Sequence, residues 1–341
     1  MSKKLLVLVL LLSMLVVVSG CGGAENPDTA QTPDVSADVA DVEKVTLMLD
    51  WTPNTNHTGF YVAQALGYYE EAGLQLEIIQ PSEDGANMAV AAGQAQFGVG
   101  FQETLLPAIT ADAPLPITAI AAILAHNTSG LISMKDKNIA SFKDLEGVSY
   151  ASWDTPSELE IIRECMSAQG GDFAALKLVP NSGADALSLM QSGDIDVVWV
   201  YEGWDVQMAE LAGLDYNFIS FREAAPVLDF YTPVIITGND FLTQSPETVK
   251  AFLTATARGF EYAIDNPEQA AELLVKAVPE LSLDLVKLSQ IYLAGQYREE
   301  NQPWGAIDEA RWSAFNAWMY EKGLIGTEVG SGGYTNAYLP Q

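Results

Sequence analysis

Short apolar runs alternate with helical patterns from residue 44 to about residue 240, and this alternation constrains the fold more than any other feature of the chain. The apolar runs predict strands at 45–49, 74–79, 97–100, 117–124, 148–151, 176–179, 195–200 and 232–236. The helical patterns between them predict helices at 60–72, 86–92, 157–169, 184–191 and 205–211. Strands and helices in alternation indicate α/β units built around central sheets.

The pattern beyond residue 245 is almost wholly helical. Helices are predicted at 246–265, 267–278, 282–294 and 307–322. Ser245-Pro246, Asn266-Pro267 and Ser282 supply the N-cap or first-turn residues with which three of these helices open. The last segment, 326–341, is rich in Gly and Tyr and is interpreted as a C-terminal tail.

The N-terminus predicts export from the cytoplasm. Two Lys residues precede an apolar run at 5–18, which is too short to span a membrane comfortably, so residues 1–20 are interpreted as a signal peptide. The small residues before Cys21 resemble the lipobox of bacterial lipoproteins, in which the Cys thiol is acylated; ordinary export with cleavage nearby is the alternative. Residues 21–43 contain Asp, Glu, Pro and Ala and predict a solvated, lipidated tether. We therefore expect an extracytoplasmic protein anchored to the cell membrane.

Composition excludes several classes of function. The net charge of −29 disfavours binding to nucleic acid, which needs cations that displace counterions. Apart from Cys21, Cys165 is the only cysteine, so neither a disulfide nor a thiol metal cluster is expected. The chain has no nucleophile elbow, phosphate loop or metal-spaced His pair. We therefore expect a protein that is not an enzyme and that has no metal, no cofactor and no catalytic residues, although paired carboxylates could supply general acid–base chemistry. We also expect a monomer.

Polar segments follow the predicted strands at 51–61, 100–104, 150–158, 199–205 and 229–233, and none contains Lys or Arg. Open α/β sheets bind ligands beyond the carboxyl ends of their strands, so two lobes with facing strand ends would form a cleft. Aromatic rings and carboxylates suit a flat, polar molecule that is uncharged or cationic. Free helix N-termini still leave an anion as an alternative ligand.

These segments supply the candidate ligand contacts, which are Trp51, Asn54, Asn56, His57, Gln102, Glu103, Trp153, Tyr201, Glu202, Trp204 and Tyr231. Other interpretations stay open for some of them. Residues 51–59 also fit an ordinary turn, and His57 could instead satisfy a buried group. Asp50 fits a structural role that orients the loop, Trp199 fits a core position, and the turn at 126–130 fits either a hinge or a binding segment.

Several motifs together resemble one family. They are Asp50-Trp51-x-Pro53-Asn54-Thr55-Asn56-His57-Thr58-Gly59, His126-Asn127-Thr128-Ser129-Gly130, Trp153-x-x-Pro156-x-Glu158, Trp199-x-Tyr201-x-Gly203-Trp204 and Asp229-x-Tyr231-Thr232-Pro233. They resemble the solute-binding lipoproteins of ABC importers for thiamine-precursor pyrimidines, whose ligand is a formylaminopyrimidine or a related aminomethylpyrimidine. The resemblance implies that the protein delivers this ligand to an ABC permease in the membrane.

The resemblance also implies a type II periplasmic-binding-protein fold, with two α/β lobes around a ligand cleft and two hinge crossings. Lobe 1 would comprise 44–125 and 235–325, and lobe 2 would comprise 126–234. The pyrimidine would stack between aromatic rings such as Trp51 and Tyr201 or Trp204. The side chains that would form hydrogen bonds with it are those of Asn54, Asn56, His57 and Glu202.

Two departures from the family pattern add side chains near the cleft. Residues 150–152 read Tyr-Ala-Ser where two glycines are expected, and Asp154-Thr155 replaces a Gly-Ser pair. The same fold could instead bind riboflavin, a sulfonate or nitrate. A remote alternative is the fungal-type pyrimidine synthase of the same superfamily, for which the resemblance implies a Lys near the position of Gln102 and a Cys-rich segment.

Overall fold

The structure is a computed structural model, and it describes residues 42–181 and 186–340. The predicted signal peptide and the predicted lipidation site, Cys21, lie outside the described residues, as does nearly all of the predicted tether. The strands are β1 (Glu43–Met48), β2 (Leu74–Ile79), β3 (Phe97–Gly100), β4 (Ile117–Ala122), β5 (Ser129–Met134), β6 (Ser149–Ser152), β7 (Lys177–Pro180), β8 (Val197–Tyr201), β9 (Tyr216–Ser220) and β10 (Val234–Gly238).

The helices range in length from a single turn to the 20 residues of the longest one. In chain order they are α1 (Thr58–Ala65), α2 (Tyr68–Glu71), α3 (Gly85–Ala91), α4 (Gln102–Thr110), α5 (Pro156–Ala168), α6 (Ala186–Ser192), α7 (Gln207–Leu211), α8 (Phe221–Ala224), α9 (Asn239–Gln244), α10 (Pro246–Asp265), α11 (Pro267–Ala277), α12 (Leu283–Ala294) and α13 (Glu309–Glu321). Two short turns also matter, a 3₁₀ turn at Thr55–His57 and a π-helical turn at Glu202–Val206.

The strands form two mixed sheets. The first has the order β2-β1-β3-β10-β4 and the second the order β7-β6-β8-β5-β9. In each sheet one strand that follows a crossing, β10 or β5, runs antiparallel to its neighbours. The chain crosses between the sheets after β4 and again before β10, so the expectation of a two-lobed α/β fold with two crossings is confirmed. We call the first sheet with the helices packed on it the first lobe, and its counterpart the second lobe.

Helices α1 and α10 pack closely on the first sheet. Phe97 of β3 stacks on Phe252 of α10 with ring centroids 3.7 Å apart. A Cβ atom at Gly259 would lie 2.0 Å from the Gly59 carbonyl oxygen, so the two helix backbones touch where neither residue has a side chain. Because α1 starts directly after the 3₁₀ turn, this contact also fixes the loop that follows β1.

Helix α13 contributes side chains to the cores of both lobes. Trp312 belongs to a buried cluster with β4 and β10, whereas Phe315 and Trp318 belong to the cluster that covers the second sheet. Phe315 stacks on Phe230 of the return crossing at 4.3 Å between ring centroids. The residue boundaries given above for the two lobes therefore stay a prediction.

The C-terminal segment is packed rather than extended into solvent. Tyr334 forms a parallel bridge with Ala119 of β4, and the Ala119 N–H donates to the Gly333 carbonyl oxygen at 3.0 Å. The Ile307 N–H donates a hydrogen bond to Asn336 Oδ1, and Asn336 Nδ2 donates one to the Ile307 carbonyl oxygen. This segment therefore covers the outer edge of β4, which would otherwise present unpaired backbone groups.

Several elements differ from the sequence-based expectations. Strands β5 and β9 were not predicted, and Ser129 and Gly130, interpreted as part of a turn, begin β5. Helix α4 was not predicted either, because Pro107 lies inside it. The predicted helix 60–72 divides at Gly67, whose φ of +75° separates α1 from α2. None of the described helices is long and apolar enough to cross a membrane.

Candidate ligand-binding site

The loop after β1 is held by an internal hydrogen-bond network. His57 is fully buried, and its Nε2 lies 2.6 Å from Asp50 Oδ1. The backbone N–H of Asn54 donates to His57 Nδ1 at 3.1 Å, so the Nε2 nitrogen carries the hydrogen and donates to Asp50. Both ring nitrogens of His57 thus stabilise the loop, and Asp50 orients it. In this arrangement both ring nitrogens of His57 are engaged within the loop, and its contact with a ligand stays a prediction.

Asn54 also serves the loop. Its Oδ1 accepts from the Asn56 N–H at 2.9 Å and its Nδ2 donates to the Thr52 carbonyl oxygen at 3.1 Å, which caps the 3₁₀ turn. Trp51 projects from this fixed loop with 67% of its surface exposed, and Asn56 is half-buried. Of the predicted contacts in this loop, Trp51 and Asn56 therefore remain available to a ligand.

Gln102 holds the first lobe to α13. Its Nε2 donates to the Trp312 carbonyl oxygen at 3.1 Å and to Asn316 Oδ1 at 3.0 Å, and its Oε1 accepts from the Tyr231 N–H at 3.0 Å. The side chain is fully buried, so it does not face the space beyond β3. The polar atoms of Gln102 are thus engaged within the protein, and its contact with a ligand stays a prediction.

Glu103, the next residue, differs from Gln102 in its burial and in its hydrogen bonding. It is half-buried, and its Oε2 atom is buried without a hydrogen-bond partner among the described residues. Burial raises the pKa of its carboxyl group from 4.5 to about 8, because the charged form loses its hydration. At neutral pH the group is therefore mainly protonated and can both donate and accept a hydrogen bond.

Tyr201 shows that the strand ends of the two lobes face the same space. Burial raises its pKa most, and the nearby carboxyl groups of Glu103 and Asp50 raise the pKa further. Asp50 follows β1, Glu103 follows β3 and Tyr201 ends β8, so the three residues reach one region from the carboxyl ends of parallel strands in both sheets. This arrangement is the one in which α/β proteins bind ligands.

The π-helical turn after β8 carries Glu202 and connects the lobes. The Glu202 N–H donates to the Thr128 carbonyl oxygen at 2.9 Å, and its Oε2 accepts from the Tyr292 hydroxyl at 2.6 Å. Tyr292 lies on α12, which packs with α10 and α11 of the first lobe. Tyr292, which the sequence did not indicate, thus positions Glu202, a predicted ligand contact.

A second set of contacts joins α12 to the same turn. The Ser289 hydroxyl contacts both the Gly203 carbonyl oxygen and the Thr55 hydroxyl. Trp204 is half-buried and packs against the apolar cluster that contains Tyr61 and Leu274 of the first lobe. The structure therefore places Trp204 in a contact between the lobes, and the helical pattern at 282–294 gave no signal for this role of α12.

Trp153 follows β6 and is 51% exposed. Its indole lies edge-on to Trp199 at 6.2 Å between ring centroids, and Trp199 itself is buried, as its core interpretation expected. The buried Glu158 carboxylate accepts from the Trp153 N–H at 3.1 Å and from the Tyr150 hydroxyl at 2.5 Å. Glu158 therefore fixes the backbone that presents Trp153.

The first departure from the family pattern, at residues 150–152, is buried within the second lobe. Tyr150 and Ser152 are buried, and both hydroxyls contact Glu158. Asp154 adopts a φ of +59°, in the left-handed region where Gly is common and Asp is tolerated. The side chains of Tyr150 and Ser152 are therefore absorbed within the second lobe, whereas Asp154 and Thr155 are exposed.

Tyr231 has a structural role. It is 1% exposed, its hydroxyl accepts from the Asp308 N–H at 2.7 Å, and the Arg311 guanidinium lies 4.6 Å from its ring centroid. The neighbouring Asp229 carboxylate contacts His126 Nδ1 at 2.7 Å and accepts from the Asn127 N–H at 2.9 Å. Because Asp229 and His126 lie on different crossings, this contact supports the hinge interpretation of residues 126–130.

A surface depression of about 310 Å³ lies elsewhere, between α3 and α9. Its lining includes Gln96 and Asn239, at the end of the first sheet opposite to Glu103, and none of the predicted contacts. In residues 42–181 and 186–340 no group of three or more His, Cys, Asp or Glu side chains could hold a metal ion. Cys165 is buried, which raises the pKa of its thiol.

Two mixed sheets, two crossings and facing strand ends define a periplasmic-binding-protein fold. The fold is shared with the alkanesulfonate-binding protein SsuA from Xanthomonas axonopodis pv. citri bound to MOPS, with a TM-score of 0.66, 11% identity and coverage of 87% of this chain and 99% of that one. The periplasmic aliphatic sulphonate binding protein SsuA from Escherichia coli also gives a TM-score of 0.66, with 14% identity and coverage of 85% and 96%. These similarities show the fold alone.

Residues 54–270 match the family described as NMT1/THI5 like, and the chain belongs to this family. It is 26% identical over 297 residues to the formylaminopyrimidine-binding protein of Halalkalibacterium halodurans, covering 85% of this chain and 88% of that protein. It is 32% identical over 254 residues to the 4-amino-5-hydroxymethyl-2-methylpyrimidine phosphate synthase of Legionella pneumophila, covering 71% and 76%. The family that the motifs indicated is therefore confirmed.

Proposed function

We propose that this protein is the extracytoplasmic solute-binding component of an ABC importer, which captures a thiamine-precursor aminopyrimidine and delivers it to a membrane permease. The observation that carries the proposal is the meeting of Asp50, Glu103 and Tyr201 at the strand ends of both lobes. The segments around them contain exposed Trp51 and Trp153 and no Lys or Arg. Acylation of Cys21 would keep the protein at the membrane surface.

The chemistry of the site favours a heteroaromatic ring with amino groups. The indoles of Trp51 and Trp153 offer flat apolar faces, and Glu202 and Glu103 offer oxygen atoms that accept hydrogen bonds from amino groups. Similarity to a formylaminopyrimidine-binding protein over most of both chains supports the same ligand class. An anion such as a sulfonate or nitrate would instead meet carboxyl groups with no guanidinium among the site segments.

The second candidate function is synthesis of the pyrimidine, which the 32% identity to the Legionella pneumophila synthase favours. The resemblance implies a Lys near position 102, where this chain has a buried Gln with all of its polar groups engaged. It also implies a Cys-rich segment, whereas Cys165 is the single cysteine within residues 42–181 and 186–340 and is buried. A mass-spectrometry assay with pyridoxal phosphate and iron tests this candidate, because only an enzyme would release pyrimidine.

A thermal-shift screen tests the ligand class. The purified protein is heated with formylaminopyrimidine, riboflavin, taurine or nitrate, and a specific ligand at 100 times its Kd should stabilise it by about 2.7 kcal/mol. We expect stabilisation by the pyrimidine alone, and calorimetry should show weaker binding after Trp51→Ala or Glu202→Ala. Tyr320→Ala removes an exposed aromatic ring of α13 and serves as the matched control. No binding at millimolar pyrimidine would overturn the proposal.

A further inference from the structure

Glu103 carries a buried carboxylate oxygen that no described residue satisfies. It lies in the first turn of α4, and its Oε2 is buried without a hydrogen-bond partner in the described parts of the chain. Buried polar atoms in native proteins are nearly always paired, and an exception indicates a missing water, ion or ligand. The position of Glu103, past the end of β3 and near Tyr201 of the other lobe, points to a ligand.

The groups that face Glu103 do not supply a positive charge. Tyr201 approaches from β8, and burial raises its pKa so far that its hydroxyl stays neutral. Asp50, which follows β1 and also lies near Tyr201, accepts a hydrogen bond from His57 at its Oδ1. The segments 51–61, 100–104 and 199–205 contain neither Lys nor Arg. Without a cation to stabilise its charge, a buried carboxyl group keeps its proton.

A protonated carboxyl group presents an O–H donor and a C=O acceptor side by side. The amidine edge of an aminopyrimidine presents the matching pair, since a ring nitrogen accepts a hydrogen bond and the adjacent exocyclic amino group donates one. Sulfonate and nitrate offer acceptors only. An ionised carboxylate would oppose the lone pair of the ring nitrogen, so the proton is necessary for this pairing.

We propose that Glu103 recognises the amidine edge of the aminopyrimidine as a protonated carboxyl group, donating to a ring nitrogen while its other oxygen accepts from the amino group. The proposal rests on the proposed function and names the side chain that distinguishes the amino-substituted ring from other flat ligands. No covalent bond forms or breaks. The complex holds one proton, shared between Glu103 and the ring nitrogen.

This recognition makes affinity depend on pH in one direction. The binding-competent form of Glu103 is protonated, and its pKa in the ligand-free protein is about 8. Affinity is therefore constant below that pH and falls by about tenfold for each pH unit above it, because the complex must then take up a proton. Tyr201, whose pKa is raised chiefly by burial, keeps its neutral hydroxyl over this range.

Calorimetric titration of the purified protein with formylaminopyrimidine between pH 7 and pH 10 tests the proposal. Wild-type protein should lose affinity above about pH 8 and should take up about one proton per ligand at pH 9.5, measured in two buffers of different ionisation enthalpy. Glu103→Gln keeps a donor and an acceptor but cannot titrate, so it should bind with a flat pH profile. Glu103→Met removes both hydrogen bonds and should bind about 10- to 100-fold more weakly at every pH.

The outcomes separate this proposal from the proposed function. Wild-type binding that stays constant to pH 10, or an alkaline loss that persists in Glu103→Gln, would overturn the role of Glu103 and leave pyrimidine capture intact. Absence of pyrimidine binding by the wild-type protein at pH 7 would overturn both. Proton uptake by the wild-type protein decides the question even if a variant fails to fold.

Discussion

Gly203 and Leu293 belong to different lobes and approach so closely that a side chain at position 203 has no room. A Cβ atom on Gly203 would lie 2.6 Å from Leu293 Cδ2. Gly203 lies in the π-helical turn after β8, whereas Leu293 lies on α12 and in the core of the first lobe. We expect this contact to form only when the lobes are closed on each other, so a substitution at position 203 can test that motion.

Gly203→Ala should weaken ligand binding by disfavouring the closed arrangement. Overpacking of this kind costs about 1–3 kcal/mol, which corresponds to about a 5- to 150-fold rise in the Kd of the pyrimidine. Leu293→Ala in the same chain should recover part of the affinity, because it restores the space. Gly326→Ala is the matched control, since a Cβ atom at position 326 would have no neighbour within 4 Å. An unchanged Kd in calorimetry for Gly203→Ala would contradict closure around this contact.

Tyr292→Phe should weaken binding without unfolding the protein. The change removes the hydroxyl that donates to Glu202 Oε2, and a lost hydrogen bond of about 0.5–1.5 kcal/mol predicts about a 2- to 13-fold higher Kd. Tyr216→Phe provides the control, because its hydroxyl donates to Glu210 on the surface of the second lobe. If both variants bind the pyrimidine with the same Kd as the wild type, Tyr292 does not position Glu202 for the ligand.

Gln102→Met should destabilise the protein, because the polar atoms of this buried side chain are engaged within it. The change leaves the Tyr231 N–H and the Asn316 side chain without their buried partner, at a cost of about 1–3 kcal/mol in the free energy of unfolding. Urea denaturation measures the loss, with the exposed Gln94→Met as the control. A Gln102→Met variant with wild-type stability and no pyrimidine binding would instead support the predicted direct contact between Gln102 and the ligand.

His57→Phe should also lower stability at neutral pH. The Asp50 side chain is only 8% exposed. Without His57, the Oδ1 atom of its buried carboxylate would lose its hydrogen-bond donor. Such a loss costs about 1–3 kcal/mol or more for a charged group. A second change, Asp50→Asn, should recover part of the stability because a neutral amide is cheaper to bury. Equal urea midpoints for the single and double variants would show that the Asp50 charge is not the cause.

Much of the fold follows from apolar periodicity, and the exceptions have physical reasons. Strand β5 opens with Ser129 and Gly130, which fit a turn equally well in sequence. The reason for Gly130 appears only in three dimensions, since a Cβ atom there would lie 2.3 Å from the Ile219 carbonyl oxygen on β9. Helix α4 contains Pro107, a residue that usually interrupts a helix, so its local sequence argued against the element that forms.

The site was less predictable than the fold. Strand ends indicated where Trp51, Glu103 and Tyr201 would lie, because the ends of parallel strands share one edge of a sheet. The periodicity of apolar residues does not reveal whether a polar side chain forms its hydrogen bonds within the protein. Two partners of Gln102, Trp312 and Asn316, lie on α13, more than 200 residues away in sequence. Tyr292 occupies an ordinary position in a helical pattern.

The position of α13 has a consequence for how the molecule unfolds. Trp312 fills one core while Phe315 and Trp318 fill the other, so neither lobe can lose this helix without exposing apolar surface in its neighbour. Two lobes that share a helix in this way should melt in a single cooperative transition, with equal calorimetric and van't Hoff enthalpies. The last helix of the chain would then make the two lobes one thermodynamic unit, although the chain crosses between them twice.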